Sequence, residues 1–271
     1  MTTVRDELVN AAEHLRQTGS SSPRLDAELL LGRVLNCDRA ALVMRSTEEL
    51  SADDRTRYLA LLSRRCKHEP VAYILGKQAF RGIELAVDPR VLIPRPETEF
   101  LVEAALTLPS GSRVIDIGTG SGAVALALKQ ERPDLCLTAA DLSPGALSLA
   151  RMNATRLRLQ VDFIQSDLLP EEGEFDAVLA NLPYVEDEAE LPPDVAEYEP
   201  RQALFGGPDG LDLVRRLAGQ IAPRQSISMV ALEIGVGQAR AAAACVAAAG
   251  FEVAAPLRDL AGIERIVVGR R

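Results

Sequence analysis

The feature that most constrains the fold is an apolar run that leads into a glycine cluster and then into a helix-forming segment. Residues 113–117 read Arg-Val-Ile-Asp-Ile, residues 118–122 read Gly-Thr-Gly-Ser-Gly, and residues 123–128 are alanine, valine and leucine. This order is typical of a strand, a close-approach loop and a helix N-terminus, which together cradle a nucleotide-like ligand. Glycines allow the ligand to touch the loop backbone. A dinucleotide-binding loop and a glycine-rich turn without a ligand are the other interpretations of the pattern.

Strand-like runs alternate with helix-like segments through the rest of the chain. Runs at residues 113–117, 135–140, 161–165 and 175–180 are followed by a further run at 227–233. Strands that alternate with helices pair in parallel through right-handed crossovers. The sequence therefore predicts an α/β fold with a Rossmann-like parallel sheet.

Three regions differ in pattern. Residues 1–75 carry helical periodicity, beginning with a Thr3 cap, and we expect a helical substrate-docking domain. Residues 76–93 alternate apolar and polar positions around Gly82, which predicts a β-hairpin linker. Residues 94–271 contain the alternating strands and helices, and we expect them to form the catalytic domain.

Acidic residues follow two later strands of the predicted sheet. Asp141 ends the run at 135–140, where a carboxylate can reach ribose hydroxyls. Asp167 and Leu168 follow the run at 161–165, and we expect them beside an adenine; an exposed acidic turn is the alternative. Both NAD and S-adenosylmethionine carry a ribose and an adenine. The expected cofactor-binding residues are Asp116, Gly118, Thr119, Gly120, Ser121, Gly122, Asp141, Asp167, Leu168 and Asn181.

The segment Asn-Leu-Pro-Tyr at residues 181–184 follows the strand-like run at 175–180. A planar –NH2 group needs two acceptors at fixed angles, and the Asn181 side-chain oxygen and the Leu182 carbonyl can provide them. Pro183 disfavours the α region at Leu182, and Tyr184 can lie against the planar target. We expect these four residues to be catalytic and to bind the substrate. A tight turn capped by the Asn side chain is the alternative.

The combination of the two motifs separates two reactions. Hydride transfer has no use for a grip on an –NH2 group, whereas methyl transfer from a sulfonium does. The residues thus favour S-adenosylmethionine, with S-adenosylhomocysteine as product, over NAD. An NAD-linked oxidoreductase and a non-catalytic nucleotide-binding domain are the competing classes.

Composition and charge argue against several other classes. The net charge of −9 and an acidic run without basic residues at 186–199 disfavour nucleic acid as a direct partner. No apolar run approaches the roughly 18 residues of a membrane span, and the N-terminus lacks the apolar core of a signal peptide. We expect a cytoplasmic monomer. Two histidines and four widely spaced cysteines, without a C-x-x-C pair, predict no metal site.

Several blocks in the same order resemble the release factor N5-glutamine methyltransferase family (PrmC/HemK), and the resemblance covers essentially the whole chain. The junction after the family's helical domain is similar to residues 70–76, and its interdomain signature to residues 92–99. Its S-adenosylmethionine loop is similar to residues 116–122. The segment after the target-binding motif resembles residues 198–211, and the C-terminal signature resembles residues 259–265.

The resemblance implies a class I S-adenosylmethionine-dependent methyltransferase, with a seven-stranded sheet that includes an antiparallel strand and with an N-terminal helical bundle. The implied reaction methylates the N5 amide nitrogen of the glutamine in the Gly-Gly-Gln motif of peptide chain release factors. Arg95 and Glu97 lie in the interdomain signature and are expected to bind the substrate. Leu182 stands where the family has proline, a form shared with ribosomal RNA adenine dimethyltransferases. A ribosomal-protein glutamine methyltransferase and an adenine-N6 methyltransferase are the alternatives.

Overall fold

The computed structural model describes residues 2–271. Its helices are α1 Val4–Gln17, α2 Pro23–Leu35, α3 Arg39–Met44, α4 Ala52–Cys66, α5 Val71–Leu75, α6 Glu99–Ala105, α7 Ala123–Glu131, α8 Pro144–Leu157, α9 Pro193–Ala196, α10 Asp212–Ile221 and α11 Ala239–Ala248. Its strands are β1 Lys77–Phe80, β2 Ile83–Ala86, β3 Arg113–Ile117, β4 Cys136–Asp141, β5 Asp162–Gln165, β6 Ala177–Ala180, β7 Met229–Glu233, β8 Glu252–Val253, β9 Leu257–Arg258 and β10 Glu264–Arg270. None of the helices in residues 2–271 combines the length and the apolar character needed to cross a membrane.

The chain divides into two compact units. The helical unit comprises Met1–Lys77 together with Leu191–Tyr198, and the sheet unit comprises Gln78–Glu190 together with Glu199–Arg271. Met1 itself lies outside the described residues.

The segment Leu191–Tyr198 belongs to the helical unit, whereas the expectation from the sequence placed all of residues 94–271 in the catalytic domain. Hydrogen bonding explains the difference. The Tyr198 hydroxyl donates to the Lys67 carbonyl at 2.7 Å, and the Arg65 guanidinium lies 3.8 Å from the Asp194 carboxylate. Both contacts lie within the helical unit.

Capping and an apolar stripe explain the first helix of the helical unit. The Thr3 hydroxyl accepts the Asp6 backbone N–H, and the Asp6 carboxylate accepts the Thr3 backbone N–H, both at 3.2 Å. This reciprocal capping confirms the helix start predicted at Thr3. Leu8 and Leu15 point from α1 into the apolar core of the unit, where both are buried.

A two-residue turn forms the hairpin between β1 and β2. Arg81 and Gly82 both have positive φ, at 40° and 78°, as type I′ hairpin turns require. The hairpin lies within the residues 76–93 where the sequence predicts one. Phe80 and Leu85 bury their side chains in the core of the sheet unit, so the hairpin is part of that unit.

The main sheet has the strand order β5-β4-β3-β6-β7-β10-β8, and the short β9 pairs with β10 outside this path. The pairs β3–β4, β3–β6, β4–β5 and β6–β7 are parallel. Strand β10 runs antiparallel to β7 and β8. This arrangement confirms the predicted α/β class, the parallel core and the antiparallel strand implied by the family resemblance.

The register of the parallel strands positions the site. Ile117 at the end of β3 lies opposite Ala140 of β4 and Ala180 of β6, and Ala180 lies opposite Leu232 of β7. The carboxyl ends of these strands therefore meet at one edge of the sheet, where open α/β sheets bind their ligands.

Candidate active site

A cavity of about 470 Å³ lies at this edge, within the sheet unit. It joins the glycine loop after β3 to the segment after β6. Most of the residues expected from the sequence to bind cofactor or substrate line the cavity: Asp116, Gly118, Thr119, Gly120, Ser121, Asp141, Asp167, Leu168, Asn181, Leu182 and Pro183. Four expected residues do not line it: Gly122, Tyr184, Arg95 and Glu97.

The glycine loop adopts a backbone that only glycine accepts readily. Gly118, Gly120 and Gly122 all have positive φ, at 72°, 55° and 86°. A Cβ on Gly118 would lie 3.4 Å from the Asn181 carbonyl oxygen, so the loop and the 181–184 segment come close to van der Waals contact. A Cβ on Gly122 would lie 2.9 Å from the Leu126 side chain. Gly122 thus serves the packing at the start of α7.

Asp116 supports the glycine loop from inside the protein. Its carboxylate accepts the Thr119 hydroxyl at 2.6 Å and the Ala125 backbone N–H at 3.2 Å. The residue is 2% exposed. Burial raises the pKa of Asp116 to about 6, against the lowering effect of these two hydrogen bonds. Its hydrogen bonds tie the loop to the first turn of α7.

Asp141 holds the same loop from the neighbouring strand. One carboxylate oxygen accepts the Gly120 backbone N–H at 2.9 Å, and the other accepts the Ser143 N–H at 2.8 Å. Burial raises the pKa of Asp141, whereas the backbone hydrogen bonds lower it. Each carboxylate oxygen has a second lone pair, so the side chain can still accept hydroxyl groups from a ligand in the cavity.

Asp167 and Leu168 form the third wall of the cavity. Asp167 is exposed and accepts a hydrogen bond from the Arg216 guanidinium at 2.6 Å. Leu168 is buried and has a φ of 65°, a left-handed conformation that is strained for a residue with a Cβ. Strained backbone of this kind clusters at ligand sites.

Asn181 is held by a side chain that the sequence did not indicate. Its Nδ2 donates to the Thr98 hydroxyl at 3.1 Å, and Thr98 is 4% exposed and lines the same cavity. Because the side-chain nitrogen of Asn181 donates to Thr98, its side-chain oxygen can accept a hydrogen bond from a ligand.

The remainder of the 181–184 segment packs against two glycines and a glutamine. Leu182 is 4% exposed. The Tyr184 carbonyl accepts the Gln238 side-chain amide at 2.9 Å. A Cβ on Gly206 would lie 2.2 Å from the Pro183 carbonyl oxygen, and one on Gly210 would lie 2.0 Å from that of Tyr184. The close approach of these two glycines fixes the path of the segment.

The Tyr184 hydroxyl donates to a buried carboxylate, Glu233, at 3.4 Å. Burial raises the pKa of Tyr184 to about 12. Sequence reasoning placed Glu233 in a strand and gave it no other role. Its position could have identified it, because Glu233, like Asp141, is a carboxylate at the end of a strand of the parallel sheet.

Arg95 forms an ion pair with Glu199 of the same unit, and Glu199 is 4% exposed. The Glu199 carboxylate accepts the Arg95 guanidinium and the Ile93 backbone N–H at 3.2 Å. Arg95 and Glu97 flank Pro96 at the start of a short 3-10 helix, Pro96–Thr98. This helix brings Thr98 to Asn181.

Comparison with known proteins places the chain in a family. Residues 7–76 match the family described as "PrmC N-terminal domain", and residues 96–197 match "Methyltransferase small domain". A release factor glutamine methyltransferase from Koribacter versatilis is 44% identical, with 99% of this chain and 99% of that protein covered. One from Geobacter sulfurreducens is 38% identical, with 99% and 96% covered.

Among solved structures, a methyltransferase from Pyrococcus furiosus has a TM-score of 0.53 at 17% identity and covers 70% of this chain and 89% of its own. This likeness supports the fold. The full-length relatives confirm the resemblance seen in the motifs, and the chain belongs to the family of release factor glutamine methyltransferases.

Proposed function

We propose that the protein transfers a methyl group from S-adenosylmethionine to the side-chain amide nitrogen of the glutamine in the Gly-Gly-Gln motif of peptide chain release factors. Relatives with this name, at 44% and 38% identity over nearly the whole chain, support the reaction and the substrate. The structural observation that carries the proposal is that one cavity is lined both by the glycine loop with Asp141 and by the Asn181–Pro183 segment.

The cavity suits the cofactor. Its volume of about 470 Å³ falls in the range of roughly 300–1,000 Å³ that small-molecule sites occupy. S-adenosylmethionine supplies a methyl group carried by a positively charged sulfur. Asp141 would accept the ribose hydroxyls, the glycine loop would lie along the cofactor, and Asp167 with Leu168 would contact the adenine. The product that leaves this site is S-adenosylhomocysteine.

The 181–184 segment would hold the target nitrogen. An amide nitrogen is a poor nucleophile because its lone pair is delocalised into the carbonyl group. The Asn181 Oδ1 and the Leu182 carbonyl would accept both amide hydrogens and orient the nitrogen. Orientation can contribute about 7–11 kcal/mol in favourable intramolecular reactions. Bound S-adenosylmethionine would supply the methyl group and would leave as S-adenosylhomocysteine, and one amide proton of the target would leave to solvent without a general base.

The helical unit would bind a second surface of the release factor and raise its effective concentration at the site. Val43 and Met44 on α3 are 69% and 79% exposed, which suits a docking contact. Val43→Asp combined with Met44→Asp should raise KM for intact release factor and leave KM for a short Gly-Gly-Gln peptide unchanged. The control is Met152→Asp, at a half-exposed position of the sheet unit. An unchanged KM for the intact release factor would contradict a docking role of α3.

The reaction itself is tested with labelled cofactor, purified release factor, ribosomal proteins and RNA in one competition. We expect label on the Gly-Gly-Gln glutamine and none on a release factor whose glutamine is replaced by alanine. Label on RNA would favour an adenine-N6 methyltransferase. Preferential label on a ribosomal protein would favour a ribosomal-protein glutamine methyltransferase. Calorimetry with S-adenosylhomocysteine and NADH tests the cofactor, since binding of NADH alone would contradict a methyltransferase.

A further inference from the structure

Gln238 lies immediately before α11 and makes three hydrogen bonds to the backbone of the sheet unit. Its Nε2 donates to the Tyr184 carbonyl at 2.9 Å and to the Asp209 carbonyl at 3.1 Å. Its Oε1 accepts the Gly235 N–H at 2.9 Å, and the residue is 9% exposed. The side chain therefore joins the segment after β6 to two other segments, one before α10 and one after β7.

The three partners determine which side chain suits this position. Backbone carbonyls only accept hydrogen bonds and a backbone N–H only donates, so the partners fix which end of the Gln238 amide faces each of them. Both hydrogens of Nε2 and the oxygen Oε1 are used. Asparagine carries the same groups on a side chain that is one methylene shorter, and an ionised glutamate has no hydrogen to donate. The arrangement is therefore matched to glutamine.

The ring of Tyr184 packs against the same stretch of chain. A Cβ on Gly235 would lie 3.2 Å from the Tyr184 ring, so the ring lies close to the backbone whose N–H Gln238 accepts. The Tyr184 hydroxyl donates to Glu233, at the end of β7, at 3.4 Å. The backbone and the ring of Tyr184 are thus both held by residues 233–238.

The hydrogen bond to the Tyr184 carbonyl also restrains the neighbouring Leu182 carbonyl. Only Pro183 separates the two residues, and the proline ring fixes its own φ. On the other side, the Leu182 side chain is 4% exposed and packs in the apolar core. Because the chain is held on both sides, the Leu182 carbonyl has little freedom to turn.

We propose that Gln238 is a positioning residue that acts through the Tyr184 backbone to keep the Leu182 carbonyl directed at the target amide. This inference rests on the proposed function, in which that carbonyl and the Asn181 side-chain oxygen orient the glutamine nitrogen. Gln238 itself does not line the cavity. Its loss should therefore lower the methylation rate and leave the affinity for the cofactor unchanged.

Gln238→Glu keeps the size of the side chain and makes the positioning depend on pH. The introduced carboxyl group can donate one hydrogen to a carbonyl when protonated, whereas its ionised form only accepts and repels both carbonyls. Burial raises the pKa of such a group. The single-turnover rate at saturating release factor, divided by the wild-type rate at the same pH, should fall about 10- to 100-fold from pH 5.5 to pH 9.

Two further variants complete this experiment. Gln130→Glu, at an exposed position of α7, is the matched control and should show a constant ratio to the wild-type rate. Gln238→Met keeps an unbranched side chain but removes all three hydrogen bonds, so its rate should be about tenfold lower or less at every pH. Calorimetry with S-adenosylhomocysteine at each pH should give the wild-type affinity for all three variants.

A measurement on the wild-type protein does not depend on the folding of a variant. In protein labelled with ¹⁵N-glutamine, both side-chain amide hydrogens of Gln238 should exchange with water at least about tenfold more slowly than those of the exposed Gln130. Magnetisation transfer from water in NMR measures both rates. Equal exchange at the two glutamines would contradict the hydrogen bonds on which the positioning depends.

The outcomes separate the two proposals. A wild-type protein that methylates no release factor contradicts the proposed function, while the exchange measurement still tests the contacts of Gln238. A constant rate ratio in Gln238→Glu, or a wild-type rate in Gln238→Met, overturns the positioning role. A loss of affinity for S-adenosylhomocysteine as large as the loss of rate would make Gln238 a support of the whole unit and overturns it as well.

Discussion

The proposed cofactor side and the proposed target side of the cavity are held by different kinds of contact. On the cofactor side, Asp141 accepts the backbone N–H groups of Gly120 and Ser143. On the target side, the Asn181 side chain is held by Thr98, 83 positions away in the sequence, and Tyr184 by Glu233, 49 positions away. Backbone donors stay in place when side chains change, whereas side-chain supports do not. The target side should therefore be the more sensitive of the two to conservative substitution.

The largest expected effect is a loss of methylation rate without a loss of cofactor affinity. Asn181→Ala removes an acceptor for the target amide, and loss of one such oriented polar group typically costs about 100- to 1,000-fold in rate. Binding of S-adenosylhomocysteine, measured by calorimetry, should stay within about twofold. Asn10→Ala, at an exposed position of α1, is the matched control. A near wild-type rate in Asn181→Ala would contradict its assigned role.

Asp141→Ala should show the reverse pattern. The ribose hydroxyls would lose a charged acceptor, whose hydrogen bonds contribute about 1.5–3 kcal/mol, so the affinity for S-adenosylhomocysteine should fall about 10- to 150-fold. KM for release factor at saturating cofactor should change little. Asp162→Ala on the exposed edge strand β5 serves as control. If the affinity for S-adenosylhomocysteine were unchanged, Asp141 would hold the glycine loop but would not bind the ribose.

Gly206→Ala tests whether the target segment depends on a close approach. The new Cβ would lie 2.2 Å from the Pro183 carbonyl oxygen and 2.8 Å from that of Gly210. Such overpacking costs about 1–3 kcal/mol of stability, and we expect a lower rate with nearly unchanged cofactor affinity. The matched control is Gly219→Ala in α10, where a Cβ meets nothing within 4 Å and a helix gains stability from alanine. Equal unfolding free energies for the two variants would contradict the close approach.

The smallest expected effect concerns stability and pH. Folding raises the pKa of Glu233 from 4.5 to about 7, so the folded protein binds a proton more tightly than the unfolded chain. Its contribution to the free energy of unfolding should therefore decrease by about 1 to 2 kcal/mol between pH 5.5 and pH 8. Glu233→Gln should remove this part of the pH dependence in chemical denaturation, whereas Glu264→Gln should retain it. Identical pH dependence in both variants would contradict the raised pKa.

The same contrast explains how much the sequence could predict. The glycine loop and Asp141 follow from local patterns, since a strand, its turn and the next strand's end are coded by neighbouring residues. The parallel sheet with an antiparallel strand, β10, agrees with the family resemblance. The hydrogen bond of Thr98 to Asn181 and the burial of Glu233 arise from strands and a 3-10 helix that meet only in the folded unit. No residue pattern near Asn181 contains that information.

The membership of Leu191–Tyr198 in the helical unit has a consequence for synthesis in the cell. The first part of that unit ends at Lys77, yet the Tyr198 hydroxyl that bonds to Lys67 emerges from the ribosome about 120 residues later. At roughly 5–20 residues per second, the delay is on the order of 6–24 seconds. The unit that begins first is therefore completed only after β6 and the Asn181 segment have been translated. The two units cannot mature strictly in the order in which their first residues are made.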